Sequence, residues 1–427
     1  MSDSLPVSQF NRRSFLFGAG ATIVTQGLLG CASSPSALQV LFLKNSISAQ
    51  LISRFKKEVT SENQPNFRAE SQLKTIFKLL QTWQQSPSEK STFLPQLPVI
   101  NPIPPAITNL VTTGDTWLVD AITKQLIEPL NLSSLSNWPQ LATRWHELVQ
   151  RNDQGLPDVQ GKTWGAPYRW GTTMIVYRKD KFKDLGWTPK NWEDLWRTEL
   201  KQRISIVDQP REVIGLTLKK LGDSYNPIEL NNLSQLRQAL LSLHQQIKFY
   251  SSTHYLQPLL VGDVWCAIGW SNEILPLLKN NPNLAAVIPE SGTSLWADLW
   301  VQPKSSSSNS LLTEWLDFCW QPDIANQIAF FSNGASPRLE TLEKNAILPK
   351  VRDNPLLMIP PRLLDRCEFL LPLSPKIQQQ FLTLWQELRS VIRKADGEIS
   401  LPETRQSKLY SSSSLNGTLQ STAANLH

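Results

Sequence analysis

The sequence predicts a folded α/β protein with largely parallel sheets. One observation indicates the α/β class, and two more indicate a folded chain that does not cross the membrane repeatedly. Through the middle of the chain, short apolar runs alternate with segments of helical periodicity, which is typical of βα units. The 427 residues are 41% hydrophobic and 18% charged, an ordinary composition for a chain that buries a large core. Outside residues 15–30, no run approaches the roughly 20 apolar residues of a membrane span. These observations exclude a disordered chain, a coiled coil and a polytopic membrane protein.

The predicted elements follow from local patterns. Apolar runs predict strands at 38–43, 172–177, 204–208, 262–270, 285–288 and 295–301. Helical spacing predicts helices near 51–59, 118–130, 191–196, 210–221, 236–247, 311–319, 324–330 and 377–392. Asn191 and Asp194 form a capping pattern, and Pro210 suits the first position of a helix. Residues 84–105 are rich in Ser, Pro and Gln and predict an irregular insertion, and residues 404–427 predict a disordered tail.

The first thirty residues have the features of an export signal. Arg12 and Arg13 precede an apolar, glycine-rich run, and no acidic residue lies between Arg13 and Cys31. The adjacent arginines indicate the twin-arginine type. The run ends in the sequence LLGC, which resembles the lipobox of bacterial lipoproteins. We therefore predict a signal peptide over 1–30 and a lipid on Cys31, and the alternative is a short N-terminal anchor with an incidental cysteine.

The sequence offers little for catalysis or nucleic-acid binding. It contains four histidines and lacks the H-E-x-x-H, C-x-x-C, G-x-S-x-G, P-loop and G-x-G-x-x-G patterns. The formal net charge of +6 is diffuse, with no block of Lys and Arg that could track a phosphate backbone. We therefore expect no enzymatic activity, no cofactor, no metal site and no nucleic-acid partner.

Three segments at or near predicted strands carry carboxylates, and the last two also carry aromatic residues: 208–213, 268–273 and 295–301. Their acids and indoles include Glu212, Asp298, Trp270 and Trp296. A carboxylate is costly to bury in apolar surroundings unless a cation meets it, and indole faces attract the same cation. The segments therefore predict a site for an organic cation. The structural alternatives are that Glu212 caps its helix, that Asp298 pairs with an arginine of this chain, and that the indoles belong to the core.

In the order and spacing of several stretches, the chain resembles the periplasmic spermidine/putrescine-binding proteins of bacterial ABC importers. These stretches are 167–173 (PYRWGTT), 191–196 (NWEDLW), 210–213, 220–222, 262–270, 295–298 and 321–325. The resemblance runs from about residue 38 to residue 337. It implies a two-lobed periplasmic-binding-protein fold, with mostly parallel sheets flanked by helices and a hinge between the lobes. The lobes would be 38–167 plus 298–340 and 168–297 plus 341–403.

The resemblance also implies a function and a site. The chain would be a monomeric, lipid-anchored periplasmic component of an ABC importer, which captures a polyamine or related organic cation between its lobes and delivers it to an inner-membrane permease. Trp270 matches an indole that packs on the ligand, and Trp296 with Asp298 matches a Trp-x-Asp element whose carboxylate holds an amine. Glu212 matches a second acid. Trp117 and Asp115 stand where the family has a tyrosine and a serine.

Two departures from the family pattern bear on the ligand. The segment 44–48 reads KNSIS where the family has Asn-Trp-x-x-Tyr, and Gln209 replaces an amine-binding acid. Both departures favour a shorter or singly charged amine, or a different organic solute, over spermidine. One alternative is a receptor of the same fold for iron or another solute, although no two tyrosines are adjacent. Another is a structural or regulatory lipoprotein that kept the fold and lost the ligand. If Asp298 holds an ammonium group, Asp298→Asn should weaken binding and leave the fold intact.

Overall fold

The computed structural model describes residues 37–59, 64–84, 106–307 and 309–395. The strands are β1 (Gln39–Leu43), β2 (Asn66–Glu70), β3 (Leu110–Gly114), β4 (Ile127–Glu128), β5 (Gln150–Arg151), β6 (Lys162–Thr163), β7 (Ala166–Arg178), β8 (Ile204–Ile206), β9 (Ile247–Tyr250), β10 (Cys266–Trp270), β11 (Leu284–Val287), β12 (Ser294–Pro303) and β13 (Glu368–Phe369). The predicted signal peptide, Cys31, all but the first residue of the predicted insertion, and the predicted tail lie outside the described residues.

The α-helices of the described residues are α1 (Ala49–Glu58), α2 (Leu73–Gln84), α3 (Leu118–Thr123), α4 (Thr143–Val149), α5 (Lys179–Leu185), α6 (Pro210–Lys220), α7 (Leu233–Gln246), α8 (Gln257–Leu260), α9 (Ser271–Asn280), α10 (Leu311–Cys319), α11 (Pro322–Ser332), α12 (Pro349–Arg352), α13 (Pro361–Leu364) and α14 (Pro375–Ala395). Short 3₁₀ helices cover Asp115–Trp117, Trp138–Gln140, Trp192–Trp196, Thr198–Leu200, Pro337–Thr341 and Lys344–Ala346. The predicted alternation of strands and helices is confirmed. None of these helices combines the length and hydrophobicity needed to cross a bilayer.

The main sheet has two parallel ends joined by long antiparallel strands. Its order is β2-β1-β3-β12-β7-β10-β8-β9, with β2, β1 and β3 parallel at one end and β10, β8 and β9 parallel at the other. Strand β7 changes partners along its 13 residues. Its first half pairs with β12, and its second half pairs with β10 and β11. Strands β7 and β12 therefore connect the two ends of the sheet.

Two predicted helices differ from the observed elements. The helix predicted over 118–130 ends at Thr123, because Gln125 adopts a left-handed backbone (φ 53°) and the chain then enters β4, which pairs with β12. The segment 192–196 forms a 3₁₀ helix instead of an α-helix, although Asn191 and Asp194 form the predicted capping box. In both cases the start of the element was predictable from local signals, whereas the extent of the first and the helix type of the second were not.

Most of the aromatic residues belong to the core. Five tryptophans are almost completely buried: Trp145, Trp192, Trp300, Trp315 and Trp320. Tyr168 stacks on Trp300 with ring centroids 4.3 Å apart, beside the sheet. The three described cysteines, Cys266, Cys319 and Cys367, are buried free thiols whose pKa values burial raises. The 16 tryptophans of the sequence are therefore largely structural, and the partly buried indoles Trp117, Trp270 and Trp296 remain as candidates for ligand contact.

Candidate functional site

The crossing strands β7 and β12 bring the predicted acids and indoles together. The strands are antiparallel, with Arg169 opposite Asp298 and Gly171 opposite Trp296. Because alternate residues of a strand share one face, a single face carries six residues that we call the crossing-strand row: Arg169, Gly171, Thr173, Ser294, Trp296 and Asp298. The segment 295–298, where the sequence predicted a site, thus pairs directly with the PYRWGTT stretch at 167–173.

Asp298 forms a buried ion pair with Arg169. The Arg169 Nη2 and Nε atoms lie 2.5 and 2.8 Å from Asp298 Oδ2, and the side chains are 3% and 4% exposed. Burial raises the pKa of Asp298, and the guanidinium opposes that rise by favouring the carboxylate. The charge of Asp298 is therefore met inside the chain, which corresponds to the structural alternative that the sequence left open.

Three further contacts hold Arg169 in place. Its Nη1 donates to the Ser332 carbonyl (3.1 Å), and its guanidinium carbon lies 5.4 Å from the centroid of the Trp296 ring. Its aliphatic stem packs so closely on Gly334 that a Cβ there would come within 2.7 Å of the Arg169 Cγ. The guanidinium is thus fixed by β12, by an indole and by the turn after α11 (Pro322–Ser332).

Trp296 lies across the crossing strands. A Cβ at Gly171 would come within 2.5 Å of the Trp296 Cζ2 atom and within 2.2 Å of the Ser271 Oγ atom, so only glycine leaves room for the indole. The Trp296 Nε1–H is buried and has no protein acceptor among the described residues. Trp296 therefore offers an unused hydrogen-bond donor beside the Arg169–Asp298 pair.

Glu212 joins the row from the first turn of α6. Its Oε1 accepts from the Thr173 hydroxyl (3.0 Å) and lies 3.4 Å from the Trp270 Nε1, and its Oε2 accepts from the Ser294 hydroxyl (2.6 Å). Burial raises the pKa of Glu212, and these three donors oppose the rise. Its carboxylate thus receives hydrogen bonds from the strands instead of capping its own helix.

Trp270 stands at the end of β10, beside Glu212. Its backbone N–H donates to the Tyr255 hydroxyl (3.2 Å), and that hydroxyl donates to the Glu273 Oε2 atom (2.7 Å). The Tyr255 and Trp270 rings meet edge to face, with their centroids 6.2 Å apart. The indole is therefore oriented on one side by Tyr255 and on the other by Glu212, while part of it stays exposed.

Asp115 follows β3 and reaches β12 at the other end of the row. Its Oδ1 accepts from the Ala297 N–H (3.0 Å), whereas its Oδ2 is buried and has no protein partner among the described residues. Burial raises the pKa of Asp115 to about 7 and the nearby charge of Asp298 acts in the same direction, whereas the Ala297 N–H and the charge of Arg151, which makes no hydrogen bond to Asp115, oppose the rise. A buried carboxylate oxygen without a donor is an unusual and costly feature, and it marks a place for a cation or hydrogen-bond donor.

Two predicted site residues make no hydrogen bond to the row in the described part of the chain. The Trp117 ring packs edge-on against Phe77, with centroids 4.5 Å apart. Gln209 occupies the N-cap position of α6, where its side chain does not cap the helix, and its carbonyl accepts from the Glu212 N–H (3.1 Å). Both are partly buried. Their predicted contacts with a ligand stay predictions.

The segment that departs from the family pattern turns inward at Ser46. The Ser46 hydroxyl is buried, accepts from the Tyr168 hydroxyl (2.8 Å) and donates to the Leu43 carbonyl (2.7 Å). The Tyr168 hydroxyl also lies 3.1 Å from the Thr112 Oγ1 atom. Lys44 is exposed. The serine thus extends a hydrogen-bonded chain beside β7, and the lysine points to solvent.

Sequence reasoning did not assign a role to Arg169, Thr173 or Ser294, although these residues make the most direct contacts to the predicted acids. Arg169 and Thr173 lie within the PYRWGTT stretch, but no local pattern says which residue of β12 they face. The only available signal was a basic residue in an otherwise apolar run. Its partner is set by the register of β7 and β12.

The arrangement of these side chains suits the binding of a cation. Three buried carboxylates and two indoles converge along the crossing strands, with one guanidinium already in place. Within the described ranges, no group of three or more His, Cys, Asp or Glu side chains could hold a metal ion. The described part of the site therefore offers counter-charge, hydrogen-bond acceptors and aromatic faces to an organic ligand.

A sheet with two parallel ends, joined by long strands that carry charged and aromatic side chains, is the architecture of a periplasmic binding protein. A solved structure with this fold is the spermidine/putrescine ABC transporter substrate-binding protein PotD of Streptococcus pneumoniae. It matches with a TM-score of 0.69 at 20% identity, over 83% of this chain and 99% of that one. The predicted fold class is confirmed.

The chain belongs to the bacterial extracellular solute-binding protein family, whose model matches residues 107–357, more than half of the chain. It is 26% identical over 307 residues to the putrescine-binding periplasmic protein PotF of Escherichia coli, covering 66% of this chain and 78% of that protein. It is 25% identical over 225 residues to the spermidine/putrescine-binding periplasmic protein of Salmonella typhimurium, covering 52% of this chain and 62% of that protein. The predicted family resemblance is confirmed. Because these relatives are solute-binding transport proteins, the prediction that the chain is not an enzyme is confirmed too.

Proposed function

We propose that this chain is the periplasmic solute-binding component of an ABC importer and that it captures a polyamine or related organic cation. The observation that carries the proposal is the buried Asp115 carboxylate, whose Oδ2 atom has no protein partner among the described residues. Asp298 and Trp296 lie on the crossing strand β12, and Glu212 reaches that strand through its hydrogen bond from Ser294. A ligand ammonium would meet the unpaired oxygen and pack on the indoles. The relatives named above, which bind putrescine or spermidine, support the same class of ligand.

We further propose that the ligand is held between two lobes, 38–167 plus 298–340 and 168–297 plus 341–403, which close around it as they move about the crossing strands. The change of partners along β7, from β12 to β10 and β11 at residues 172–173, lies five residues beyond the proposed boundary at 167/168 and supports a division within this strand. The row lies on these connecting strands, so ligand contacts and hinge movement would be coupled. The closed form would then deliver the solute to a permease of the inner membrane, with the chain acting as a monomer.

A thermal-shift panel on the full chain in non-ionic detergent tests the ligand class. The panel comprises putrescine, spermidine, agmatine, a betaine, ferric citrate and an uncharged sugar. We expect at least one organic cation to raise the midpoint of unfolding, because ligand at 100 times its dissociation constant stabilises the folded state by about 2.7 kcal/mol. A shift with ferric citrate alone would support the iron receptor instead. A flat response to every compound would favour the lipoprotein that has lost its ligand.

The membrane anchor is a separate part of the proposal. Arg12, Arg13 and the LLGC sequence that ends at Cys31 support export and lipidation of the cysteine. Stable attachment needs more than one acyl chain, as bacterial lipoproteins carry. We expect cells that express the chain to incorporate radioactive palmitate into it, and Cys31→Ala to lose the label. Ser33→Ala is the matched control and should keep it. Equal labelling of the Cys31→Ala variant would contradict the anchor.

A further inference from the structure

The three buried carboxylates of the site differ in how much of their negative charge is left for a ligand. Asp298 contacts the Arg169 guanidinium at 2.5 Å, and both groups are buried, so the net charge of the pair is zero. The Asp298 Oδ1 atom takes no part in that contact and can accept a hydrogen bond, but it offers no surplus negative charge. Glu212 has hydrogen-bond donors from Thr173, Ser294 and Trp270. Asp115 alone among these acids has a buried oxygen without a protein donor in the described residues.

Arg169 is built into the site and cannot be moved aside cheaply. It contacts Asp298, the Ser332 carbonyl and the Trp296 ring at the same time, and its stem rests on Gly334. A competing ammonium would have to break all of these contacts and leave the guanidinium buried without a counter-charge. That is one of the costliest changes in a protein interior. The guanidinium therefore stays where a second cationic group of a ligand would otherwise be held.

We propose that Arg169 is a specificity-determining residue that neutralises Asp298, so that the site accepts a ligand with a single cationic group, held by Asp115. This inference rests on the proposed function and narrows its ligand from polyamines in general to monocations. A second ammonium along the row would approach the Arg169 guanidinium and lose its hydration without gaining a free carboxylate. Rejection of the dication would thus come from a repulsive element as well as from a missing attraction.

Two probes that differ by one charge test this inference by calorimetric titration of the full chain in non-ionic detergent. Putrescine carries two ammonium groups, and N-acetylputrescine has the same diamine chain with one of them acetylated. We expect the wild-type chain to bind N-acetylputrescine about tenfold or more tightly than putrescine, because a charge-assisted hydrogen bond without its partner costs about this factor. Arg169→Met should reverse the preference, since it frees the Asp298 carboxylate for a second ammonium.

Two control variants separate charge from structure. Arg169→Lys keeps a cation beside Asp298 and should keep the preference for the monocation. Arg178→Met removes a partly buried arginine at the far end of β7, which donates to the Asp180 carboxylate, and it should leave the ratio of the two affinities unchanged. If Arg169→Met does not fold, the Arg169→Met/Asp298→Asn double variant removes both charges, and it should bind N-acetylputrescine within a few-fold of wild type.

The outcomes distinguish this inference from the proposed function. If the wild-type chain binds putrescine as tightly as N-acetylputrescine or more tightly, the inference is wrong while the proposed function stands. The same holds if a folded Arg169→Met variant gains no affinity for putrescine. If neither amine binds to any variant and an uncharged solute does, the proposed function is wrong and the inference falls with it.

Discussion

Asp298→Asn is expected to lower the free energy of unfolding by about 3–5 kcal/mol, the cost of leaving one partner of a buried ion pair without its counter-charge. The Arg169 guanidinium would remain 3% exposed, with the Ser332 carbonyl and the Trp296 ring as its remaining contacts. Urea unfolding of the wild-type and variant chains measures the difference. The sequence alone led to the expectation that this substitution leaves the fold intact, and the ion pair changes that expectation.

A matched control is the exposed pair of Asp153 and Lys162, whose side chains are 67% and 58% exposed at an N···O distance of 2.9 Å. Asp153→Asn should cost no more than about 1 kcal/mol, because surface ion pairs contribute little. Replacing both buried partners, as in Arg169→Met/Asp298→Leu, should recover most of the lost stability. If Asp298→Asn and Asp153→Asn were equally mild, the Arg169–Asp298 contact would not be a fixed part of the folded protein.

The helices that could be predicted from the sequence are those whose signals lie in the neighbouring residues of the chain. The α6 helix begins at Pro210, because proline suits the first helical position, and Asn191 with Asp194 forms the capping box that its spacing indicated. The apolar periodicity from Ile377 onward likewise marked the helix α14 (Pro375–Ala395). Each of these signals lies within a few residues of the element that it predicts.

The contacts that decide the chemistry of the site lie far apart in the chain. Arg169 and Asp298 are separated by 129 residues, and their meeting depends on the register of two strands. A shift of the register by one residue would put them on opposite faces. The sequence could indicate that Asp298 needs a cation, because a buried carboxylate does, but it could not say whether the ligand or the chain supplies it. The pairing of β7 with β12 shows that Arg169 of this chain supplies the cation.

The same reasoning applies to Asp115, which the sequence placed in the site only through the family pattern. The unused Oδ2 atom depends on where Ala297 lies, because the Ala297 N–H takes up the other oxygen. Residue types and spacing cannot show which oxygen of a carboxylate is satisfied. We therefore expect the cation contact at Asp115, whose Oδ2 atom has no protein partner among the described residues, instead of at Asp298, whose charge is met by Arg169.

Asp115→Asn is therefore expected to weaken the binding of an organic cation by about 10- to 100-fold at pH 8, the range for loss of a hydrogen bond to a charged group. Because burial raises the pKa of Asp115 to about 7, the wild-type chain must lose a proton to bind a cation below that pH. Its affinity should fall by about tenfold per unit as the pH drops below 7. The Asp115→Asn variant should lack this dependence, and titration at several pH values measures both effects.

The stability of the ligand-free chain should respond to pH with the opposite sign. The folded state holds the Asp115 proton more tightly than the unfolded state, where the pKa is near 3.8. Because the unfolded chain ionises at Asp115 first, stability is lost progressively as the pH rises from about 4 to about 7, and the total is on the order of a few kcal/mol. Relative to wild type, Asp115→Asn should become more stable across that interval. Asp120→Asn, at a partly exposed ion pair with Lys124, is the control and should change neither quantity appreciably. If Asp115→Asn lowered both the affinity and the stability at every pH, Asp115 would be only a structural residue. A ligand-binding Asp115 should instead lower the affinity and raise the stability when it is replaced by asparagine.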